Sequence, residues 1–336
     1  MTGPLERGRR RSRAGRIGAL LALLAAAAGV ALVTVVVADR GPGSPRATGS
    51  SPTATGAAGA VTPAVPPAAN PARRASAVSL AGPDAFSVRL ERPPRAGLVF
   101  DLRSGGVLWR RSPLERLPIA SLAKIMTAIV VVEETSRRER VRISRAALGY
   151  SGSGMGVLPR GGRRVPIEGL LAGLLLVSGN DAAIALAEHV GGSERRFVGL
   201  MNARARRLGL RCTRFASPSG LEDGDRSCAA DLAALARVAM RKRRIARLVR
   251  RAQLDVPFPI KGGRLYLNST NPLLRSRYRG AIGLKTGSTR RAGHSFVGVA
   301  RRRGRTLGVV LLRSPDSGGQ ARKLLDRGFR TSAAGY

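Results

Sequence analysis

The run PIASLAKIMTAIVVVEE, residues 118–134, puts Ser121 and Lys124 at the head of a stretch whose Leu122, Ile125, Met126, Ile129 and Val130 recur at helical spacing. A helix over 121–134 is predicted, with the serine hydroxyl and the lysine amine on one face of its first turn. The positive end of the helix dipole and the loss of solvent both disfavour an ammonium there, leaving a neutral amine able to take the serine proton. The four-residue pattern is common by chance, so its meaning rests on what accompanies it.

Two further segments accompany it, in order. Ser178-Gly179-Asn180 falls in a break between two helical stretches, 170–176 and 181–189, and offers a second hydroxyl and an amide. Lys285-Thr286-Gly287, followed by Ser288 and Thr289, closes an apolar strand read over 281–284. Other predicted elements are a hairpin of 97–101 with 107–109, a helix over 231–240, strands over 295–300 and 306–312, and a closing helix over 320–329.

Composition points at the same residues independently. The 336-residue chain carries 54 Arg but only five Lys: Lys124, Lys242, Lys261, Lys285 and Lys323. Arginine keeps its proton at any physiological pH, whereas a buried lysine can lose it, so the lysines that survive mark positions needing a titratable or compact amine. Two of the five stand in the two motifs. Two Cys and two widely separated His give no basis for a metal centre or a cofactor, and exclude a disulfide-dense scaffold. His189 is read as a helix-end residue and His294 as a packed turn residue, or alternatively one lining the cleft; neither supports a Ser-His-Asp triad. The basic run 241–251 is read as a solvated helix face, or alternatively a docking surface for acidic wall polymer or lipid headgroups.

Ahead of the globular part, residues 1–16 hold six Arg against Glu6, and 17–38 run without a charge. Twenty-two helical residues span roughly 33 Å, enough for a bilayer core. Positive charge before the span orients the arm to the cytoplasm and the remainder outside, as a single-pass membrane anchor. A secreted form released by signal cleavage after Val36-Val37-Ala38 is the rival; its apolar run would be shorter. Residues 39–80, rich in Ala, Pro, Gly, Ser and Thr, read as a disordered linker, and 81–336 as the folded domain. Of the net charge of +39, the arm holds +5, the linker +3 and the domain +31. For an exported domain the polyanions at hand are lipid headgroups and anionic wall polymers, so nucleic acid is not an expected partner.

The three motifs together resemble the penicillin-recognising serine D-alanyl-D-alanine carboxypeptidases, the low-molecular-mass penicillin-binding proteins. The likeness runs from about Ala96 to Phe329 and includes Pro118-Ile119-Ala120, Asn180-Asp181-Ala182-Ala183, Met201-Asn202 and the stretches 215–221 and 268–274. It implies an α/β, β-lactamase/transpeptidase-like fold: an antiparallel sheet flanked by helices, a mainly helical lobe, and the active site between them. It further implies that Ser121 attacks the terminal D-alanyl-D-alanine bond of peptidoglycan stem peptides, with Lys124 as base and Ser178 as proton relay. Asn180 would bind substrate and brace Lys124. Lys285 would hold Ser178 and supply positive potential; Thr286 would meet the terminal carboxylate, within the Lys285-Thr286-Gly287 segment. The N–H groups of Ser121 and Ser288 would form the oxyanion hole. β-Lactam antibiotics would acylate Ser121.

Three departures stand out. The arginine expected before the closing helix has no clear match; Arg313 and Arg322 are the candidates. Cys228 stands where the resemblance leads one to expect Thr, and with Cys212 the only other thiol in an exported domain, a Cys212–Cys228 disulfide is the hypothesis. The extra C-terminal domain that the resemblance would add after the closing helix is not expected, its anchoring role falling to the N-terminal span. The alternatives carried forward are a D,D-endopeptidase, a class A-like β-lactamase in which Glu222 would have to serve deacylation, and an inactive, membrane-tethered cationic wall-binding protein.

Overall fold

The computed structural model describes residues 77–160 and 162–331. The basic arm, the uncharged 17–38 run and most of the linker lie outside the described residues. Within the described residues no helix is long and apolar enough to cross a membrane. Ala77–Leu80, read above as linker, packs on the domain: Val78 and Leu80 lie against its core, Ser79 donates to the Gly105 carbonyl, and the Arg237 guanidinium holds the Ala77 carbonyl.

The strands in chain order are β1 (Ala96–Asp101), β2 (Val107–Arg111), β3 (Leu117–Pro118), β4 (Arg140–Arg142), β5 (Arg164–Pro166), β6 (Arg226–Ser227), β7 (Gln253–Pro257), β8 (Arg264–Asn268), β9 (Ala281–Thr289), β10 (Gly293–Arg302) and β11 (Arg305–Leu312). Five of them form one antiparallel sheet in the order β2-β1-β11-β10-β9, and the other six pair into short ribbons. Both faces of this sheet are buried, and the side-chain alternation divides cleanly. Leu98, Phe100, Val297, Val299, Val310 and Leu312 enter the main core. Val99, Phe296, Ala300, Leu307, Val309 and Leu311 enter a second core with Ala321, Leu324 and Leu325 of the closing Ser317–Arg330 helix. The architecture is therefore the sheet-between-helices arrangement expected, with a largely helical lobe on the main-core side.

Several predicted elements are longer or divided. The strand expected to stop at residue 284 continues as β9 through Thr289, so Lys285, Thr286 and Gly287 sit inside a strand. Among the described residues its outer edge carries no neighbouring strand, which leaves alternate backbone N–H groups available to a ligand. The predicted 121–134 helix is a 3-10 turn, Ala120–Ala123, followed by the α-helix Lys124–Glu134. The 241–251 run is the end of the Ala229–Arg241 helix plus a separate Arg243–Val249 helix. It is not simply a solvated face: Lys242 pairs with Glu133 and Arg244 with Glu168, and Ile245 and Val249 are buried.

Candidate active site

Two glycines set the nucleophile turn. Gly220, at φ +84°, lies so close that a Cβ there would overlap the Ala120 carbonyl and come within 3.0 Å of Ser121 N; Gly287 on β9 would bring a Cβ to 2.8 Å from the Ile119 carbonyl oxygen. The turn is thus gripped between the 217–221 loop and the β9 edge, and Ala120 itself takes φ +47°. In a 3-10 turn residues three apart eclipse one another, and the Lys124 amine meets the Ser121 hydroxyl at 2.8 Å.

Lys124 is fully buried. Its Nζ also lies 2.5 Å from Asn180 Oδ1 and 2.8 Å from the Ser219 carbonyl oxygen, two atoms that only accept. A neutral amine has two N–H groups and one lone pair; with both N–H groups spent on these acceptors, the lone pair is left facing the Ser121 O–H. Electrostatics favour that form. Burial holds the amine well below its ordinary range and the nearby Lys285 lowers it further, while Asp225 and Asp181 partly oppose them.

Asn180 starts the Asn180–Gly191 helix; its Nδ2 donates to the Tyr150 hydroxyl at 2.8 Å. The next residue, Asp181, accepts from the N–H groups of Met155 and Gly156 and so ties the 151–160 loop to this helix start. Ser178, half-buried, occupies the break before it at φ +64°. The expected Lys285–Ser178 link is absent: Lys285 Nζ donates instead to the Thr286 carbonyl at 2.9 Å, and the Ser178 hydroxyl has no hydrogen-bond partner among the described residues. Lys285 pairs across the sheet with Val297 and so lies on the sheet face that carries the nucleophile helix, close enough to Lys124 to lower its amine; its own full burial there pushes it down to about 7.

On the open side of β9, Thr286 Oγ1 lies 2.8 Å from Thr270 Oγ1, and Thr270 in turn holds the Leu176 carbonyl that ends the Ile167–Leu176 helix. Ser288 Oγ lies 3.1 Å from His294 Nδ1, so His294 stands on β10 at the rim of the site and not in a packed turn. His189, by contrast, is structural and pairs with Glu139 at 3.0 Å.

The 16-residue interval between Cys212 and Cys228 is closed by the expected disulfide. Inside it, the buried Asp225 carboxylate accepts from the N–H groups of Ala216, Ser217 and Glu222 and from the Ser217 hydroxyl, shaping the loop that presents the Ser219 carbonyl to Lys124. Burial raises its carboxyl despite these bonds. Glu222 is exposed, and only its backbone joins this network. Among the described residues no carboxylate hydrogen-bonds Ser121 or Lys124, and the charges that act on Lys124 are Lys285, Asp225 and Asp181, not Glu222. Arg313, at φ +49°, donates to the Arg291 carbonyl beside the β9–β10 turn, whereas Arg322 is exposed on the closing helix across the sheet.

Of the residues expected from sequence, Lys124 meets Ser121 and Asn180 directly, Gly287 packs against the nucleophile turn, and Lys285, Thr286 and Ser288 lie beside it on β9, whereas Ser178 hydrogen-bonds none of them. Sequence reasoning does not assign Tyr150, Ser219, Gly220, Asp225 or Thr270. Gly220 and Ser219 lie in the 215–221 stretch already noticed as similar; nothing local marks Tyr150.

Comparison with known proteins agrees. The D-alanyl-D-alanine carboxypeptidase family, peptidase S11, matches residues 91–315. The chain is 38% identical to the D-alanyl-D-alanine carboxypeptidase DacB2 of Mycobacterium tuberculosis over 70% of its own length and 82% of that protein's. It is 32% identical to DacF of Bacillus subtilis, covering 71% of this chain and 63% of DacF. A D-alanyl-D-alanine endopeptidase of Pseudomonas aeruginosa is 32% identical over 66% of this chain and 73% of its own. Among solved structures, the Streptomyces K15 DD-transpeptidase superposes with a TM-score of 0.67 at 31% identity, over 73% of this chain and all of that one. With its nucleophile turn, buried lysine and Lys-Thr-Gly strand in register, the chain belongs to the D-alanyl-D-alanine carboxypeptidase family of serine peptidases.

Proposed function

We propose that the protein removes the terminal D-alanine from peptidoglycan stem peptides through an acyl-enzyme on Ser121, and that β-lactams acylate the same atom. The observation that carries this reading is the hydrogen-bond accounting at Lys124, which leaves one lone pair aimed at the Ser121 hydroxyl. Neutral Lys124 takes the Ser121 proton as Oγ adds to the carbonyl carbon. The developing oxyanion is held by the N–H groups of Ser121 and Ser288; one such donor is worth about 3–4 kcal/mol of barrier. Ser178 passes a proton to the leaving D-alanine amine, and water then releases the shortened peptide. Thr286 and the charged Lys285 attract the terminal carboxylate, and Arg313, at the same end of β9, supplies the guanidinium that Arg322 is too remote to provide.

The uncharged 17–38 run and the arginines before it support a single-pass anchor with the domain outside the membrane, where the linker keeps it near the wall. Fluorescent penicillin tests the catalytic reading: the wild type is labelled covalently, Ser121→Ala is not, and D-alanine is released from a D-alanyl-D-alanine-terminated pentapeptide. Absence of label on folded wild-type protein overturns it; cleavage confined to cross-linked dimers assigns the endopeptidase instead.

A further inference from the structure

A row of three cavities follows the outer side of the Ser317–Arg330 helix, on the sheet face away from the catalytic cleft. Their volumes are about 320, 380 and 330 Å³. Lys323 lines the first and second, and Asp326 and Arg330 line the second and third, so the three adjoin in a row. The lining positions 316, 319, 320, 323, 326, 327 and 330 repeat at three- and four-residue steps, forming a single stripe of the helix. At about 1.5 Å per residue, fourteen residues give a trough of roughly 20 Å.

The trough is strongly cationic. Its acids are Glu91, Asp316 and Asp326, and Asp326 is already taken by Arg302 at 2.8 Å. Arg302 lines the third cavity, its guanidinium over the rings of Tyr278 and Phe329 at 4.4 and 4.9 Å. Six arginines around the row, Arg89, Arg92, Arg279, Arg303, Arg327 and Arg330, have no acidic side-chain partner among the described residues. Helix-end electrostatics account for Arg327 and Arg330. They do not account for Arg279, from the loop before β9, or Arg303, from the β10–β11 turn, which converge with Arg330 on one cavity. A planar carboxylate is satisfied by one guanidinium fork; guanidiniums arriving from three separate elements suit a tetrahedral anion with several acceptor oxygens. None of the large exposed apolar residues, Leu114, Val157, Leu200, Leu221 and Tyr266, lines these cavities, which argues against a lipid surface as the occupant.

We infer that this trough binds a soluble linear polyanion bearing repeated phosphate groups, such as a phosphodiester chain, leaving the catalytic cleft open. The test is titration of the full chain with short inorganic polyphosphate at physiological ionic strength. Charge reversal of two exposed trough residues, Arg303→Glu with Arg330→Glu, is expected to weaken binding at least tenfold. The same charge change at exposed sites elsewhere, Arg138→Glu with Arg145→Glu, is expected to change it less than twofold, and penicillin labelling stays unchanged in both. Equal weakening by the two pairs would reduce the effect to diffuse net charge and overturn the site. Wild-type protein that ignores polyphosphate also overturns it. So does tighter, trough-dependent binding to polyglutamate, single-stranded RNA or anionic phospholipid vesicles, which would assign those partners instead.

Discussion

Gly220→Ala is the sharpest probe of how the nucleophile is held, because Gly220 is neither a titrating nor a hydrogen-bonding side chain. At φ +84° an alanine pays about 1–2 kcal/mol for left-handed backbone. Its Cβ also overlaps the Ala120 carbonyl outright and meets Ser121 N at 3.0 Å. Relieving the overlap needs a displacement of about 1 Å, shared between the 217–221 loop and the Ala120–Ser121 peptide; crowding of this kind adds about 1–3 kcal/mol. Stability should fall by about 2–5 kcal/mol, and Tm by roughly 4–20 °C at about 2–4 °C per kcal/mol. The larger effect falls on chemistry. A 1 Å misplacement of a reacting group costs about 100-fold in rate, here compounded because the same loop carries the Ser219 carbonyl that orients Lys124. The assay is stopped-flow acylation by a chromogenic or fluorescent penicillin, beside a thermal melt. Acylation within threefold of wild type together with an unchanged Tm would refute the claim that this close backbone approach sets the nucleophile.

Acylation should show an alkaline limb near pH 7, because Lys285 loses its charge there and with it the attraction for the substrate carboxylate; a pH–rate profile flat from 6 to about 9 would contradict that assignment. The same group has a stability signature: unfolded Lys285 keeps its proton up to about 10.5 while the folded form releases it near 7, so its contribution improves as pH rises between those values and is least favourable below 7. Lys285→Met should flatten that part of a stability–pH curve measured by denaturant titration. Reduction of Cys212–Cys228 opens a 16-residue loop and should cost about 3 kcal/mol, seen as a Tm drop of roughly 6–12 °C with reductant; full reduction verified by mass with no Tm change counts against it. Asp225→Ala strands four donors in the loop interior and should destabilise by about 3–5 kcal/mol in urea while slowing acylation; a loss under about 1 kcal/mol would mean water replaces the carboxylate easily.

The chemistry was legible in the sequence because it depends on residue types at short fixed spacings. Ser121 and Lys124 share a turn whatever surrounds them, and five lysines among 59 basic residues direct attention to Lys124 and Lys285. Helix and strand identities followed from period, and the cysteine pair from there being only two. What local pattern cannot carry is mutual distance across the chain. That Ser219, 95 residues on, offers its carbonyl to Lys124, that Tyr150 occupies the Asn180 amide, and that β9 continues through its motif against the nucleophile turn follow from packing of backbone segments whose side chains give no signal. The same holds for Lys285: strand register places it, fully buried, on the sheet face near Lys124, and it is this burial that lowers its amine. Sequence determined which groups can react; tertiary structure decided which of them face one another and how much water each one keeps, and proton affinity depends on both.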